Sequence, residues 1–149
     1  MGSLPDFFAD IPDPRRGHCR RHPLPAVLAI AAGATRCGMR GYQAISLWAE
    51  DLDQQARARL RCRYRNRNRH YAVPSRTVIR EVLTRIDPVA LGGALQRWNT
   101  QHADDEALAI AGKTLGHAID DDGRQTHILG AVGHQSHTGY TQKKSAPCP

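Results

Sequence analysis

Regularly spaced arginines are the residues whose chemistry is easiest to interpret in this sequence. Five of them alternate with other residues: Arg61, Arg63, Arg65, Arg67 and Arg69. In an extended chain such alternation places all five side chains on one side. Like charges at this density repel one another unless an anion is bound, and Tyr64, Asn66, Asn68 and Tyr71 lie among or beside them. The pattern predicts contact with the phosphates and bases of a nucleic acid. A solvated loop is the alternative.

A second basic stretch lies near the N-terminus, between Asp13 and His22. Its arginines are Arg15, Arg16, Arg20 and Arg21. They could follow a phosphate backbone, and each such contact would release counterions and make binding sensitive to salt. A solvated leader explains the same composition equally well.

The segment from Ser75 has the pattern of a recognition helix. Ser75 is a favourable N-cap, and Val78, Ile79 and Val82 form an apolar face behind it. Four residues would then point outward near the start of the helix: Ser75, Arg76, Thr77 and Arg80. Helix-turn-helix proteins place such residues against base edges, although most capped amphipathic helices are only structural.

Two further motifs lack the residue spacing that their function would require. A zinc site could be imagined from His18, Cys19, His22 and Cys37, but their spacing matches no recurrent zinc pattern. A phosphate-binding loop ending in Gly112-Lys113-Thr114 would need glycine where Ala107 stands. We therefore expect neither a metal nor a bound nucleotide.

The elements that must position the arginines are mostly helices. An apolar segment opened by Pro23 and Pro25 predicts a buried helix. An apolar stripe from Tyr42 to Leu52 predicts an amphipathic helix that continues to about Leu60, followed by an extended or mobile basic loop. Asp87-Pro88 ends the Ser75 helix and begins another, in which Gly92-Gly93 is unfavourable.

The periodicity changes after His102. Short alternating segments, with a turn at Asp122-Gly123, predict strands in a meander. The predicted organisation is an irregular basic arm (residues 1–22), a helical domain (23–102) and a β-rich segment (103–149).

Composition and charge limit the function further. The chain has 149 residues and a net charge of +7, and its first 75 residues hold 13 arginines against six acidic residues. This asymmetry indicates a polyanion-binding half. The longest apolar run, about 12 residues, is too short to span a bilayer. Four cysteines without CxxC spacing and no secretory leader predict a reduced, cytoplasmic protein.

Three segments of the chain resemble, in the right order, the H-repeat-associated family of insertion-sequence transposases. They read DPRRGHCRRHPLPAVLAIAAGA, VPSRTVIREVLTRIDPVAL and ALAIAGKTLGHAIDDDGRQTHILGAVGH. The resemblance covers about residues 10–140. It implies a helical, helix-turn-helix-like associated domain followed by an RNase H-like catalytic domain. In such a domain a DDE carboxylate set would hold two Mg²⁺ ions for phosphoryl transfer.

The chain departs from the family at the catalytic position. The family has an apolar strand followed by Asp-Gly-Lys-Thr-Leu-Arg-Gly, whereas here Ala111 occupies the position of the first Asp. Gly116 replaces the basic residue, and Gly133 stands where the family has Asp before His. The later Asp and Glu motifs are absent from the sequence, and Asp120, Asp121 and Asp122 fall in a predicted turn. No catalytic residue, metal or cofactor is therefore expected.

The sequence as a whole indicates a truncated, catalytically inactive transposase-family protein that retains DNA binding and is nucleoid-associated when DNA-bound. The predicted partners are DNA and, secondarily, a full-length transposase or a second copy of the chain, without any membrane. One alternative is a non-functional pseudogene product, and another is an inhibitor that assembles with a full-length transposase. An active enzyme made by frameshifting into a longer product is disfavoured by Ala111.

Overall fold

The computed structural model describes residues 2–102, 108–119, 125–133 and 139–145. It divides into two compact units, residues 1–91 and 92–149. The described part is mainly helical, as predicted. Its helices are α1 (Leu24–Arg36), α2 (Gly41–Asp51), α3 (Gln54–Arg59), α4 (Arg76–Arg85) and α5 (Pro88–His102). Its strands are β1 (Arg63–Arg65), β2 (His70–Ala72), β3 (Leu108–Ile119), β4 (Gln125–Gly133) and β5 (Gly139–Ser145).

The core of the first unit is built around α1. Val27, Ala29 and Ile30 have no solvent exposure, because this helix is apolar on nearly every side. Helices α2 and α4 contact α1 and each other. The short 3-10 helix Leu4–Phe8 also contacts α1, and its Phe8 is completely buried. The N-terminal arm therefore packs onto the helical core through its first residues.

Glycine permits a close approach between α1 and α2. A β-carbon at Gly33 would lie 3.1 Å from the indole ring of Trp48. The stripe predicted for α2 is confirmed, since Ile45 and Ala49 are buried and Trp48 is half-buried.

The prediction that α2 continues to Leu60 is wrong. The helix ends at Asp51, and Leu52 is extended with a ψ of 137°. Asp53 then caps a separate helix, because its carboxylate accepts a hydrogen bond of 2.6 Å from the backbone N–H of Ala56. A side chain that satisfies a free N–H favours a new helix start over continuation.

Helices α4 and α5 begin as predicted. Ser75 caps α4 by accepting a hydrogen bond of 3.5 Å from the N–H of Val78, and Ile79 and Val82 are fully buried. Helix α5 runs without a break through Gly92-Gly93, so the expected weakness there does not interrupt it.

Strands β3, β4 and β5 form an antiparallel meander in that order. Residue pairs such as Leu108 with Gly133 and Lys113 with Ile128 define the register of β3 on β4. The strand meander predicted after His102 is therefore present. The predicted turn at Asp122-Gly123 lies outside the described residues, and an RNase H-like identity for this sheet stays a prediction.

Candidate nucleic-acid interface

The densest basic segment folds into a small antiparallel hairpin. Strand β1 pairs with β2 in the register Arg63 with Ala72, Tyr64 with Tyr71 and Arg65 with His70. The Tyr64 and Tyr71 rings meet edge to face at 5.0 Å between centroids. Side chains alternate between the faces of a strand, so Arg63 and Arg65 lie on the face opposite the tyrosines.

The extended or mobile loop predicted here is instead a hairpin, and the five arginines do not form the single row that a fully extended chain would give. Only Arg63 and Arg65 share a strand face, because the chain turns in a 3-10 helix over Asn66–Asn68. Arg67 lies in this turn, and Arg69 closes it in the left-handed conformation with a φ of 49°. Arg61 precedes the hairpin, also left-handed with a φ of 57°. The arginines therefore surround a hairpin rather than line an extended loop.

The hairpin arginines are exposed and lack acidic partners. Every residue from Arg63 to Arg69 is exposed. Within the described ranges, no ion pair neutralises Arg63, Arg65, Arg67 or Arg69, whereas Arg61 pairs with the carboxylate of Asp6. Four positive charges thus remain available to an external anion.

Two side chains of α3 anchor the hairpin. The Gln54 side-chain oxygen accepts a hydrogen bond of 2.6 Å from the N–H of Tyr71. Arg57 donates to the carbonyl of Tyr71 at 3.2 Å and to that of Glu50 at 2.6 Å, and so links the end of α2 to β2. The sequence interpretation missed both residues, because nothing in the local pattern marks a contact 14 or 17 positions away.

Arg15 serves the fold of the arm rather than its surface. Its side chain is fully buried and forms a bidentate pair with Asp13, at 2.9 Å from Nε to Oδ1 and 2.7 Å from Nη2 to Oδ2. The same Nη2 donates to the carbonyl of His22 at 2.8 Å. Arg15 therefore lies too deep to contact a phosphate, contrary to its place in the predicted arginine set.

The other three arginines of the arm are exposed. Arg16 and Arg21 are free of ion pairs in the described part of the chain. Arg20 is half-exposed, lies 3.7 Å from the Asp13 carboxylate, and donates to the carbonyls of Arg15 at 3.0 Å and Asp13 at 3.1 Å. These contacts hold Arg20 in position, while half of its side chain still faces solvent.

His22 shows that the arm and the hairpin lie together. It is 8% exposed, and burial is the main cause that lowers its pKa below the ordinary 6.5. The positive charges of Arg65, Arg63 and Arg15, in that order, lower the pKa further. Coulombic influence of this kind requires proximity. The hairpin arginines therefore lie close enough for their charges to act on His22, and the Arg61–Asp6 ion pair joins the base of the hairpin to the arm directly.

The start of α4 presents a second group of predicted residues. Ser75, Arg76 and Arg80 are all exposed, and Arg76 and Arg80 are one turn apart on the same face. Directly after Arg80, Glu81 pairs at 3.0 Å with Arg85, one turn further along the helix. The positive charge of this helix is thus concentrated in its first half.

The two rejected motifs can be located in the structure. Among the described residues, no group of three or more His, Cys, Asp and Glu side chains is placed as metal ligands would be. Gly112-Lys113-Thr114 lies inside β3, paired with β4, rather than in a loop before a helix. Ala111 lies in the same strand, opposite Gly130.

Comparison with known proteins gives the class of the chain. A family model described as DDE_Tnp_1-associated matches residues 5–99, which include the arm, the hairpin and α4. The chain belongs to this family, and the predicted transposase-associated region is therefore confirmed. No curated protein and no solved structure matches it. In the described ranges, no helix is long and apolar enough to cross a bilayer.

Proposed function

We propose that this chain is a transposase-family protein that binds duplex DNA. The contact surface is the arm–hairpin surface, which we define as the exposed arginines of the arm and of the hairpin: Arg16, Arg20, Arg21, Arg63, Arg65, Arg67 and Arg69. The observation that carries the proposal is the hairpin, where four exposed arginines have no acidic partner in the described part of the chain. Such uncompensated charge is stabilised when phosphates approach it.

Two arginines of the original set are left out of the surface. Arg15 is buried against Asp13, and Arg61 is neutralised by Asp6. The Arg15 pair is buried and fixes the arm, whereas the exposed Arg61–Asp6 pair only offsets the charge of Arg61. The exposed start of α4, with Ser75, Arg76 and Arg80, supplies a second contact in a helix-turn-helix-like arrangement.

Catalysis is not part of this proposal. The resemblance to H-repeat-associated transposases assigns the first metal-binding carboxylate to the position of Ala111, and a methyl side chain offers no oxygen ligand to Mg²⁺. The proposed role is therefore DNA recognition by a relative of transposases that does not cleave strands. Metal-dependent strand cleavage by the purified chain would contradict it.

The test is fluorescence anisotropy of the purified chain with labelled duplex DNA over a series of salt concentrations. Each phosphate contact contributes about −0.9 to the slope of log affinity against log salt. The double substitution Arg21→Ala with Arg63→Ala, both outside the hairpin turn, should make the slope less steep by about 1.8. Arg85→Ala is the matched control, because this arginine is also exposed but is already paired with Glu81, and it should leave the slope unchanged.

The outcome also separates the possible partners. Salt-sensitive binding with a preference for the ends of an insertion sequence would support specific recognition. A folded chain that binds no DNA at low salt would contradict the proposal. Retention of the chain by an intact transposase of the same family would then favour the inhibitor alternative.

A further inference from the structure

The hairpin has the shape of a two-stranded ribbon with one free side. Strand β1 is exposed along its whole length, and so are Asn66–Asn68 and Arg69. Strand β2 lies on the protein side, where α3 holds Tyr71. Adjacent strands are about 4.8 Å apart. A ribbon of this kind fits the major groove of B-DNA, which is about 12 Å wide, whereas the minor groove, about 6 Å wide, is too narrow for it.

The residue types at the end of the ribbon match purine edges. We define the hairpin tip as residues 65–69, in which arginine and asparagine alternate: Arg65, Asn66, Arg67, Asn68 and Arg69. In the major groove, arginine forms two hydrogen bonds with guanine and asparagine forms two with adenine. Attraction to phosphates requires only positive charge. It therefore explains the arginines of the tip but not the presence of the two neutral asparagines.

The hydrogen-bonding groups of the tip are free to be used. Within the described ranges, the side chains of Arg65, Arg67 and Arg69 have no ion pair. The side chains of Asn66 and Asn68 donate and accept no hydrogen bond there; only the Asn66 backbone carbonyl accepts one, from the N–H of Arg69. Side chains that brace a turn would be engaged with the backbone, and these are not.

The backbone conformation of the tip also indicates a binding role for its side chains. Arg69 has a φ of 49°, a conformation in which glycine or asparagine is the ordinary choice. An unfavourable residue in a strained position is a reason to look for a role of its side chain. At this position the side chain adds a fifth polar group to the end of the ribbon.

We propose that the hairpin tip enters the major groove of duplex DNA and reads guanine and adenine edges with its arginine and asparagine side chains. This inference rests on the proposed DNA binding and goes beyond it, since it assigns base recognition to the hairpin. Helix α4 then contributes to affinity rather than to base recognition. The Ser75 hydroxyl already caps its own helix, which leaves Arg76 and Arg80 to contact phosphates.

The first experiment selects duplexes from a randomised pool with the purified full-length chain. The wild type should enrich sequences with guanine and adenine at fixed spacing. Asn66→Ala with Asn68→Ala removes no charge, so it should leave the salt slope unchanged and abolish the adenine preference. A triple variant with Arg65→Lys, Arg67→Lys and Arg69→Lys should retain the charge. It should lose most of the discrimination for guanine, because lysine lacks the planar fork of arginine. Arg76→Ala with Arg80→Ala should weaken binding and retain the enriched sequence.

The second experiment locates the groove with base analogues in the enriched duplex. Replacing guanine by its deaza analogue removes the N7 acceptor of the major groove, and should weaken wild-type binding about tenfold or more for each guanine read. Replacing guanine by hypoxanthine removes only the amino group of the minor groove, and should have little effect.

Each other outcome has a definite meaning. A sensitivity to hypoxanthine without one to the deaza analogue would overturn the inference in favour of the minor groove. An enriched sequence that disappears only in the Arg76 and Arg80 variant would assign base recognition to α4. Salt-dependent binding without any enrichment would leave phosphate contact alone, which overturns the inference and retains the proposed function. No binding at low salt would overturn both.

Discussion

Arg15, which is fully buried, forms a bidentate ion pair with the partly buried Asp13, only two positions away in the chain, with distances of 2.9 and 2.7 Å. The pair fixes a tight bend of the arm, because Asp13 also accepts a hydrogen bond of 3.0 Å from the N–H of Arg15. Arg15 then reaches the carbonyl of His22. The two ends of the basic stretch are thereby held together, and Arg16 and Arg21 face solvent.

Removal of Asp13 should destabilise the protein strongly. Asp13→Ala leaves the guanidinium of Arg15 buried without its counter-charge, and loss of one partner of a buried pair costs about 3–5 kcal/mol. Urea unfolding followed by circular dichroism measures the change. Arg16→Ala, one residue beyond the pair and exposed, is the control and should alter stability by less than about 0.5 kcal/mol. Equal effects of the two substitutions would show that the pair does not stabilise the arm.

The same ion pair predicts a loss of stability in acid. Burial acts most strongly and raises the pKa of Asp13, but the hydrogen bonds and charge of Arg15 together outweigh it, so the pKa lies below the ordinary 3.8. A carboxyl whose folded pKa is depressed stabilises the protein above its unfolded pKa, and this contribution is lost as pH falls towards the folded pKa. Unfolding free energy should therefore decrease below about pH 4. Asp13→Asn should show a smaller decrease over the same range.

His22 should make stability sensitive to pH in a higher range. Burial, followed by Arg65, Arg63 and Arg15, lowers the pKa of His22 below 6.5 in the folded protein. The unfolded chain therefore binds a proton more readily, so stability is greatest above pH 6.5 and declines as pH falls through this value towards the folded pKa. Urea unfolding at several pH values measures the decline.

His22→Gln should flatten this part of the stability profile, while the matched change His18→Gln, at an exposed position, should not. DNA bound to Arg63 and Arg65 would offset their charge and raise the pKa of His22, which a nuclear magnetic resonance titration can follow. A pKa unchanged by saturating DNA would place the bound phosphates away from these two arginines.

Several elements follow from short-range patterns, and the sequence predicts them well. Helices α1 and α4 are examples, because an apolar face and a Ser75 cap are local signals. The break at Leu52 has a local signal too, since Asp53 is a good N-cap, but the apolar stripe that runs up to Leu52 favours a continuous helix instead. Asn66 and Asn68 belong to a residue type that is common in turns, so they could have indicated the hairpin within the arginine run, although in the described part of the chain their side chains form no hydrogen bond that braces it.

Other features depend on contacts that no local pattern contains. The burial of Arg15 runs against the usual exposure of arginine, and it is possible only because Asp13 and the carbonyl of His22 surround it. The meeting of His22 with Arg63 and Arg65 joins segments some 40 residues apart. Such relationships require the folded core between them. The candidate site was therefore predicted in its residue types and not in its arrangement.

Arg57 should hold the hairpin in place. Arg57→Met preserves the aliphatic part of the side chain and removes the donors to the carbonyls of Tyr71 and Glu50. Loss of hydrogen bonds from a charged donor should lower the unfolding free energy by about 1.5–3 kcal/mol. Relative to the wild type, the backbone amides of β2 should exchange hydrogen faster in the variant, while those of α1 should change less. Arg59→Met, at an exposed position of the same helix, is the control. Unchanged protection of β2 would mean that Gln54 alone suffices as the anchor.

Glycine substitutions at Arg69 and at Arg67 should distinguish the effect of backbone strain on stability from the effect of positive charge on DNA affinity. Arg69→Gly relieves a left-handed conformation that a side chain disfavours by about 1–2 kcal/mol, so the melting temperature should rise. Arg67→Gly removes the same charge from a residue without a positive φ, and glycine there should give no gain or a small loss. Both substitutions should weaken DNA binding by a similar factor at low salt, since each removes one unpaired positive charge. If Arg69→Gly raised stability and left affinity intact while Arg67→Gly lowered affinity, Arg69 would not contact DNA, and base reading at the tip would end at Asn68.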